Sequence, residues 1–453
     1  MEIYQRDLNP TLQRFTLLLH GIDTLDFDED SSHCEIEFGD GLSLNIHAAA
    51  SEEFFVGTDS NPANAFRANK MRDQFSKELT WFRYDSIGNV SDIELTHYNS
   101  IAIHENFSRL TIEDQNRILN FVRKLLRPGG IFYINYDSFP GCSTKNILRK
   151  IVQACPIRKV QNAIDFVREF IETKTNFWKT MPAFKPLFEY YSKRPELLER
   201  EFLSKSWRGF YFTEICEMLN ESQLEFACPM DLLDTNQSLE FTIESRNFLQ
   251  TIENPIAREE LKDFFLNRTF RNDLFVRGKS RLTQDEFQRK IDSTRFILLT
   301  TENISNEFQT PIGIAKLDSE MLEKLIEFLR ADQFQPKSFL EIKQNLGTKN
   351  LLQMIIALIH RGLAAPCQNF SPRVKKQCES LNSYLIQRRI RILASPITGG
   401  GISCEELDLK ILDRMKFGRN DPVEIAQALE IEEDIVRKFF NDRLPLFRAL
   451  KIV

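Results

Sequence analysis

The stretch "CEIEFGDGLSLNI", residues 34–46, runs from alternating apolar residues through two glycines into a helical pattern. A strand that enters a helix through glycine lets the backbone approach a ligand closely and points helix N–H groups at its anionic part. Gly39 and Gly41 occupy that turn, and Glu37 stands at the end of the predicted strand. The stretch therefore predicts a strand, a ligand-binding loop and a helix.

The glycine spacing and the next strand narrow the choice of ligand. A dinucleotide-binding loop would carry a third glycine where this sequence has Leu44. S-adenosylmethionine has a carboxylate and no phosphate, so the loop favours this cofactor. The next strand ends in Asp59, whose carboxylate is predicted to accept hydrogen bonds from both ribose hydroxyls. Asp85, at the end of the third strand, is predicted to lie near the adenine.

Strand-like and helical patterns alternate along the first third of the chain. The predicted strands are "CEIEF", "EFFVGTD", "LTWFRYD", "SIAIH" and "GIFYINYD". Such alternation predicts a parallel sheet covered by helices. From Asn146 to about Asn220 the pattern is helical, and strand-like segments return at "LEFACPMDLL" and "DLFVRG". We therefore predict a helical insertion between the fifth and sixth strands.

The last third of the chain is mostly helical. The segments "SFLEIKQNL" and "DPVEIAQAL" share a helix cap, a Glu-Ile pair and a final Leu, and each precedes a second helix. Gly362 is a predicted helix stop before a short strand. These patterns predict two helix-turn-helix-like modules, which we class as winged-helix-like. The second helix of the first module is too apolar to read a DNA groove, so protein docking is favoured.

The segments between the two modules are predicted to be a linker. They are "SPRVKKQ", "IQRRIRILASP" and "TGGG", and the glycines mark a flexible tip. Within them, Arg388, Arg389 and Arg391 are interpreted as a solvated face.

Composition excludes several classes of function. The chain has 453 residues and a net charge of −6, which gives no general attraction to nucleic acid or anionic membrane. The longest apolar run, "MIIALI", is far too short to cross a membrane, and the N-terminus lacks a secretion signal, so we expect a cytoplasmic protein. The eight cysteines have no CxxC spacing, and His33 beside Cys34 lacks further ligands, so no metal site is predicted.

From Tyr4 to about Gly418 the chain resembles the S-adenosylmethionine-dependent methyltransferases that carry a methyltransferase regulatory domain, a group that includes bacterial protein-lysine methyltransferases. The segments that carry the resemblance are "EIEFGDGLSLNI", "FVGTDSN", "IAIHENFS", "LLRPGGIFYINYDSFPG", "LEREFLSKSWRGFYFTEI", "LKDFFLNRTFRNDLF" and "ILASPITGGGISCEELDLKILDRM". Each is moderately specific, and their shared order over most of the chain is strong. The loop departs from the family at Asp40, Ser43 and Leu44, and Phe107 and Arg109 replace the usual Tyr and Trp.

The resemblance implies a class I methyltransferase-type, Rossmann-like α/β fold with S-adenosylmethionine as cofactor. The residues expected to bind it are Glu37, Gly39, Gly41, Ser43, Asn45, Asp59, Ser60, Asp85 and Ile103. Candidate catalytic residues follow the fourth and fifth strands, where ligands of open parallel sheets lie. They are His104, Asn106 and Tyr136.

Five units are expected along the chain. They are a methyltransferase core at 1–145, the helical insertion at 146–210, the remaining core strands and helices at 211–306, a winged-helix-like module at 307–370 and a C-terminal helical module at 371–453. A fragment that ends near Asn306 should accordingly stay soluble. The expected substrate is a protein lysine, with no nucleic acid partner. Two alternatives stay open, an inactive methyltransferase-like binding protein and a methyltransferase acting on a glycan or small molecule.

Overall fold

The computed structural model describes residues 4–25, 31–75, 80–84, 97–104, 107–173, 176–204, 206–347, 350–416 and 420–453. The first part contains α1 (Pro10–Leu19), β1 (Ile22–Asp23), β2 (Ser32–Ile36), α2 (Leu42–Ala49), β3 (Phe54–Asp59), α3 (Pro62–Arg72), β4 (Thr80–Tyr84), β5 (Tyr98–Ile103), α4 (Ile112–Leu125) and β6 (Leu126–Asp137). Each of the five predicted strands is therefore present, as β2 to β6.

The middle part contains α5 (Ser143–Ala154), α6 (Val160–Glu172), α7 (Asn176–Thr180), α8 (Phe184–Ser192), α9 (Pro195–Leu198), α10 (Phe212–Asn220), β7 (Glu225–Pro229), α11 (Ile243–Gln250), α12 (Pro255–Leu266), β8 (Phe270–Val276), β9 (Ser280–Arg281), α13 (Gln284–Ser293) and β10 (Arg295–Leu298). A π-helical turn at Glu199–Leu203 follows α9. The helical insertion between the fifth and sixth strands of the sheet is confirmed as α5 to α10.

The last part contains β11 (Glu307–Thr310), β12 (Gly313–Lys316), α14 (Ser319–Phe334), β13 (Lys337–Ser338), α15 (Phe339–Leu346), α16 (Leu351–His360), β14 (Ala364–Cys367), α17 (Pro372–Gln387), β15 (Ile392–Ser395), β16 (Gly400–Ser403), α18 (Glu406–Lys416), α19 (Pro422–Leu429), α20 (Glu433–Lys438) and α21 (Leu444–Ala449). Gly362 has a φ of 71° just after α16, as its predicted role as a helix stop requires.

The main sheet has seven strands in the order β4-β3-β2-β5-β6-β8-β7. Strands β4, β3, β2, β5 and β6 run parallel, and β8 and β7 complete the sheet through antiparallel pairing. The strand order reverses between β2 and β5, so the carboxyl ends of these two strands flank a crevice. The predicted loop after β2 opens at that crevice.

Capping residues fix where the helices around the sheet begin. The side chain of Asn61 accepts a hydrogen bond from the N–H of Ala63 at the start of α3, and Pro62 occupies the first turn. Thr111 caps α4 by accepting from the N–H of Asp114. Gly41 precedes α2 with a φ of 77°, a left-handed conformation that favours glycine.

The insertion has an apolar core of its own. Its buried residues are Leu148, Val152, Ala163, Ile164, Val167, Phe184, Phe188, Tyr191, Leu198 and Phe202. The cluster joins α5, α6, α8, α9 and the π-helical turn, so the insertion is a packed helical unit and not an irregular loop.

The predicted linker between the two C-terminal modules was wrong. Residues 372–387 form α17, and the following residues form the hairpin of β15 and β16. The apolar residues Val374, Cys378, Leu381 and Leu385 lie one helical turn apart and are buried, but the charged residues between them obscured that pattern. The helix packs against α2, where the Cys378 thiol donates to the Ala49 carbonyl oxygen at 3.4 Å.

The glycines of "TGGG" are enclosed rather than flexible. A Cβ added at Gly400 would lie 2.4 Å from Asn9 Nδ2 and 2.6 Å from the Tyr4 hydroxyl oxygen. A side chain at this position would therefore push the N-terminal segment away. The predicted flexible tip was therefore wrong, and glycine is needed at Gly400 because of close packing.

Strand β10 pairs with β13 and β14 in a separate three-stranded sheet. Helices α14 to α16 lie between β10 and β14 in the chain, and α14 packs against β10. In the described ranges, no helix is both long and apolar enough to cross a membrane.

Candidate functional site

The glycine loop between β2 and α2 uses its two glycines for different purposes. Gly39 has a φ of 67°, and a Cβ added there would meet only the Nε2 of His104, at 3.9 Å. Gly41 lies against α3, where an added Cβ would be 2.5 Å from the Cβ of Ala68. Gly39 therefore keeps the front of the loop accessible, whereas Gly41 allows α2 and α3 to pack closely.

Asp59, at the end of β3, is 2% exposed and is held by three donors. Its Oδ2 accepts from the Gly39 N–H at 2.8 Å, while its Oδ1 accepts from the Asn61 N–H at 2.8 Å and from Asn64 Nδ2 at 3.0 Å. An ionised carboxylate offers about four acceptor positions. Asp59 therefore fastens the glycine loop to β3 and has little remaining capacity for a ligand.

Glu37 and Ser60 form a more accessible pair beside Asp59. Glu37 accepts from the Ser60 N–H at 3.1 Å and from the Ser60 hydroxyl at 2.8 Å. Burial raises the pKa of Glu37 to about 7, although the hydrogen bonds from Ser60 act in the opposite direction. Ser60 is exposed and Glu37 is half-buried, so both can reach a ligand in front of the loop.

Leu44 stands where a dinucleotide loop has glycine, and its side chain points into a hydrophobic core. It is 1% exposed and packs with Phe38, Phe55 and Phe82. A Cβ added at Gly57 would lie 2.4 Å from Leu44 Cδ2, so glycine on β3 provides the room that Leu44 occupies. Leu44 therefore does not block the front of the loop.

Ser43 and Asn45 were predicted to contact the cofactor, but both are buried and paired with backbone. Ser43 Oγ accepts from the Gln5 N–H at 2.8 Å, which fixes the N-terminal segment on α2. Asn45 Nδ2 donates to the Gly41 carbonyl at 2.8 Å and to the Ala68 carbonyl at 3.1 Å. Both residues therefore hold the backbone around the loop in place through these hydrogen bonds.

His104 lies directly after β5 and forms a hydrogen-bonded pair with Glu35. Its Nδ1 is 2.7 Å from Glu35 Oε1, and its Nε2 faces Gly39. Burial would lower the pKa of His104, but the hydrogen bond and charge of Glu35 outweigh burial and raise it. The imidazole side chain is 18% exposed, so it can contact a ligand at the loop.

Glu35 was not among the predicted site residues, although the sequence carries a signal for it. Strand β2 is buried throughout, yet it carries His33 and Glu35 two positions apart and hence on one face. Buried polar side chains require partners. Glu35 pairs with His104, and His33 contacts Glu53.

Tyr136 does not have the placement that its predicted catalytic role requires. Its side chain is fully buried, and its hydroxyl donates to Asp273 Oδ2 at 2.7 Å. Arg271 binds the same carboxylate, so the tyrosine anchors β6 to a buried ion-pair cluster on β8. A fully buried side chain cannot touch a substrate. Ile103 is also fully buried, within the sheet core, and provides no polar contact.

Two predicted site residues, Asp85 and Asn106, lie outside the described residues. Their predicted roles stay predictions.

A cluster of four charged residues and Trp207, which was not predicted from the sequence, joins the carboxyl end of β6 to the helical insertion. Lys145 Nζ lies 2.8 Å from Asp137 Oδ1 and 2.7 Å from Glu201 Oε2. Arg109 NH1 contacts Glu201 Oε1 at 2.8 Å, and Trp207 Nε1 donates to Asp137 Oδ2 at 2.7 Å. We call these five residues the insertion cluster. It fixes the insertion at the sheet end that carries the glycine loop.

The described residues fit S-adenosylmethionine better than a phosphate ligand. Glu37 and Asp59 place two carboxylates beside the loop, and such a set attracts a positively charged ligand and repels a pyrophosphate. The open front of Gly39 and the exposed Ser60 hydroxyl provide a surface for the amino-acid and ribose portions. The described part of the chain contains no group of three or more His, Cys, Asp or Glu side chains arranged to hold a metal ion.

Comparisons with known proteins support the resemblance to methyltransferases that carry a regulatory domain. The family described as "Predicted methyltransferase regulatory domain" matches residues 194–277. An uncharacterised protein from Synechocystis is 25% identical, over 98% of this chain and 96% of its own length. An uncharacterised protein from Rickettsia prowazekii is 21% identical over 57% of this chain and 48% of its own length.

A solved structure shares the fold over nearly the whole length. PKMT2 from Rickettsia typhi superposes with a TM-score of 0.71 at 16% identity and covers 99% of both chains. A second structure of that protein, in complex with AdoHcy, gives the same values. The fold is that of a class I methyltransferase. The resemblance predicted from the sequence, including the regulatory domain, is confirmed.

Proposed function

We propose that this protein is an S-adenosylmethionine-dependent methyltransferase that methylates lysine side chains of protein substrates. The observation that carries the proposal is the hydrogen bond between Asp59 and the Gly39 N–H, which holds an open glycine loop between the carboxyl ends of β2 and β3. The shared fold and the regulatory-domain match support the same class of enzyme.

Cofactor binding is assigned to the residues in front of the loop. Glu37 and Ser60 would bind the ribose hydroxyls, and the loop N–H groups would bind the amino-acid portion. The bound cofactor supplies a methyl group on a positively charged sulfur. Asp59 acts here chiefly by holding the loop, because three protein donors already occupy its carboxylate.

His104 is the residue that we assign to proton removal from the acceptor amine. A lysine must be neutral to attack, so the site has to favour loss of its proton. Glu35 holds the ring through Nδ1, which leaves Nε2 at the loop as the atom that accepts the proton. Most of the rate acceleration is expected from holding the acceptor in line with the methyl group and excluding water.

A protein substrate is supported by the size of the surfaces around the site. A small acceptor needs a pocket, whereas the insertion and the C-terminal units offer the extended surface that gripping a macromolecule requires. The name of PKMT2, which shares the fold, abbreviates protein-lysine methyltransferase. A cytoplasmic location is proposed from the cysteines, which are unpaired within the described residues.

The proposal is tested in two stages with the full chain. Calorimetric titration with S-adenosylhomocysteine measures cofactor binding first. The protein is then incubated with methyl-labelled S-adenosylmethionine and lysate of the source cell. We expect the label to enter protease-sensitive material, to survive base treatment that removes methyl esters, and to appear as methyl-lysine after hydrolysis.

Each alternative predicts a different result. Absence of S-adenosylhomocysteine binding would favour the inactive binding protein. Cofactor binding with label only in protease-resistant carbohydrate, lipid or small molecules would keep the methyltransferase and reject lysine as acceptor. His104→Gln serves as the matched variant, because it should retain cofactor binding within a few-fold and lose labelling.

A further inference from the structure

A cavity of about 910 Å³ lies between the N-terminal segment, β14 and the hairpin of β15 and β16. Four arginines line it, namely Arg6, Arg388, Arg389 and Arg391, and none of its lining residues is an Asp or Glu. We call it the arginine cavity. None of the residues assigned above to cofactor binding or proton removal lines it, so it is a separate feature of the molecule.

The carboxylates of Asp7 and Glu406 act electrostatically on the arginines of the cavity, but neither forms a direct ion pair with them. Among the described residues, no carboxylate oxygen lies within 4.0 Å of the guanidinium nitrogens of Arg6, Arg388 or Arg391, and Arg389 has only Asp413, at 3.9 Å. Arg6 is half-buried, and burial lowers its pKa. The side chains of Arg388, Arg389 and Arg391 are exposed, so water screens much of their mutual repulsion, and a bound anion would reduce the repulsion that remains.

A second observation points to a ligand. Thr398 is 3% exposed, lines the cavity, and its Oγ1 is buried with no hydrogen-bond partner in the described part of the chain. Buried polar atoms are nearly always satisfied, and an unpaired one marks a place where a partner is missing. The hydroxyl can donate to a ligand oxygen or accept from a ligand donor.

The rest of the cavity wall is mostly apolar, with Tyr4, Asn9 and Ser403 as further polar residues. Leu12, Leu299, Ala364, Pro366, Ile390 and Ile392 contribute to it. An apolar wall with a few polar groups and a volume of roughly 300–1,000 Å³ is typical of small-molecule sites. Arginine is the side chain that best matches phosphate and carboxylate groups, because its fork of N–H donors binds two oxygens at once.

We propose that the arginine cavity binds a small organic polyanion, a molecule of nucleotide size with phosphate or carboxylate groups and an apolar part. Its anionic groups pair with Arg388, Arg391 and Arg6. The bound molecule would lie between the N-terminal segment and the hairpin of β15 and β16. Both of these contact α2, the helix that follows the glycine loop. The proposal does not depend on the methyl acceptor.

Calorimetric titration of the full chain, with S-adenosylhomocysteine present to fill the cofactor site, tests the proposal. The probes are ATP for phosphate, citrate for carboxylate, adenosine as the uncharged control and a glutamate-rich peptide. We expect ATP or citrate to bind with a Kd below about 1 mM and adenosine not to bind. Binding by ATP alone or by citrate alone identifies which anionic group the cavity takes.

Charge-reversal variants identify the location. Arg388→Glu should weaken anion binding by about tenfold or more, whereas Arg373→Glu, an exposed change of equal charge on α17 outside the cavity, should weaken it by less than about twofold. S-adenosylhomocysteine affinity should be unchanged in both. Equal weakening by the two variants, no saturable binding of either anion, or binding of the peptide alone would overturn the proposal.

Discussion

The Oδ2 of Asp59 accepts a hydrogen bond from the backbone N–H of Gly39 at 2.8 Å, and this contact joins the end of β3 to the glycine loop after β2. The same carboxylate accepts from the Asn61 N–H and from Asn64 Nδ2. Asp59 therefore determines the shape of the loop as well as its charge. A change at this residue should affect folding and cofactor binding together.

Asp59→Ala should lower both the free energy of unfolding and the affinity for S-adenosylhomocysteine. Three backbone or side-chain donors lose their acceptor in a buried place, which costs roughly 1–3 kcal/mol of stability. Cofactor affinity should fall by about tenfold or more, because the Gly39 loop is no longer held. Urea denaturation and calorimetric titration measure the two effects.

Asp73→Asn is the matched control, because Asp73 is an exposed carboxylate at the end of α3. Stability should change by less than about 0.5 kcal/mol and affinity by less than twofold. Full cofactor affinity in Asp59→Ala would contradict the assignment of the site to this loop.

Glu37 should make stability depend on pH between about 4.5 and 7. Its pKa is about 7 in the folded protein against 4.5 in the unfolded chain. The folded state therefore binds the proton more tightly, so this stability contribution is complete below pH 4.5 and is lost as pH rises through 7. After allowance for the partial exposure of Glu37, the loss should be about 1–2 kcal/mol.

Glu37→Gln removes this titration, so the variant should gain stability relative to the native chain as pH rises from 5 to 8. Urea denaturation at several pH values measures the difference. Glu113→Gln, an exposed change on α4, should give a constant difference over the same range. A constant difference for Glu37→Gln as well would show that the pKa of Glu37 is not raised.

The pair formed by Glu35 and His104 should set the pH profile of methyl transfer. Glu35 raises the pKa of His104, and a proton acceptor works only in its neutral form, so activity should increase with pH through that pKa. Glu35→Gln removes the charge and leaves burial dominant, so the pKa of His104 should fall. The rising limb of kcat/KM should therefore move to lower pH.

Glu53→Gln is the control for this prediction, since Glu53 contacts His33 on β2, the strand that also carries Glu35. Both variants disturb a buried His–Glu contact and should lose stability. Only Glu35→Gln should move the pH profile. An equal displacement in both variants, or in neither, would remove His104 from the proton transfer.

Much of the sheet was predictable because its strands are short and mostly apolar runs, two of which, β3 and β6, end in Asp. Asn61 and Thr111 cap α3 and α4 through hydrogen bonds to residues two or three positions on, so the starts of these helices depend on local sequence. The loop was predictable for the same local reason, because Gly39 and Gly41 need positive φ. These features depend on neighbours in the sequence.

The errors concern features that depend on distant residues. Tyr136 follows the correct strand, but its hydroxyl reaches Asp273, 137 positions away. Ser43 was assigned to the ligand, whereas its partner is Gln5. Both ends of α17 were predicted as linker, because the charged residues between its buried apolar positions obscured the helical pattern. No local pattern identifies such partners.

The pair formed by Leu44 and Gly57 should show a favourable coupling in a double-mutant cycle. Leu44→Ala leaves a cavity and should cost about 2–4 kcal/mol. Gly57→Ala places a Cβ 2.4 Å from Leu44 Cδ2 and should cost about 1–3 kcal/mol. The added Cβ would also lie 2.8 Å from Phe38 Cδ1, and this clash stays when Leu44 is replaced. The double variant should therefore lose about 1 kcal/mol less than the sum, because Leu44→Ala removes only the clash with Leu44.

Gly57→Ala combined with Leu358→Ala is the control cycle, because Leu358 is buried in α16 and belongs to a different core cluster. That pair should be additive within about 0.5 kcal/mol. Additivity in the Leu44 cycle would contradict the explanation that Gly57 makes room for Leu44.

A fragment that ends at residue 306 should aggregate, which reverses the expectation drawn from the sequence alone. The fragment lacks β14, so the backbone edge of β10 is exposed. Residues Phe296, Ile297 and Leu298 of β10 are buried in the full chain. It also removes α17 from α2, where Cys378 contacts Ala49. Size-exclusion chromatography with light scattering should show soluble aggregates or no soluble protein, against a discrete species for the full chain. A monodisperse fragment with a cooperative thermal transition would mean that the C-terminal units dock without stabilising the sheet.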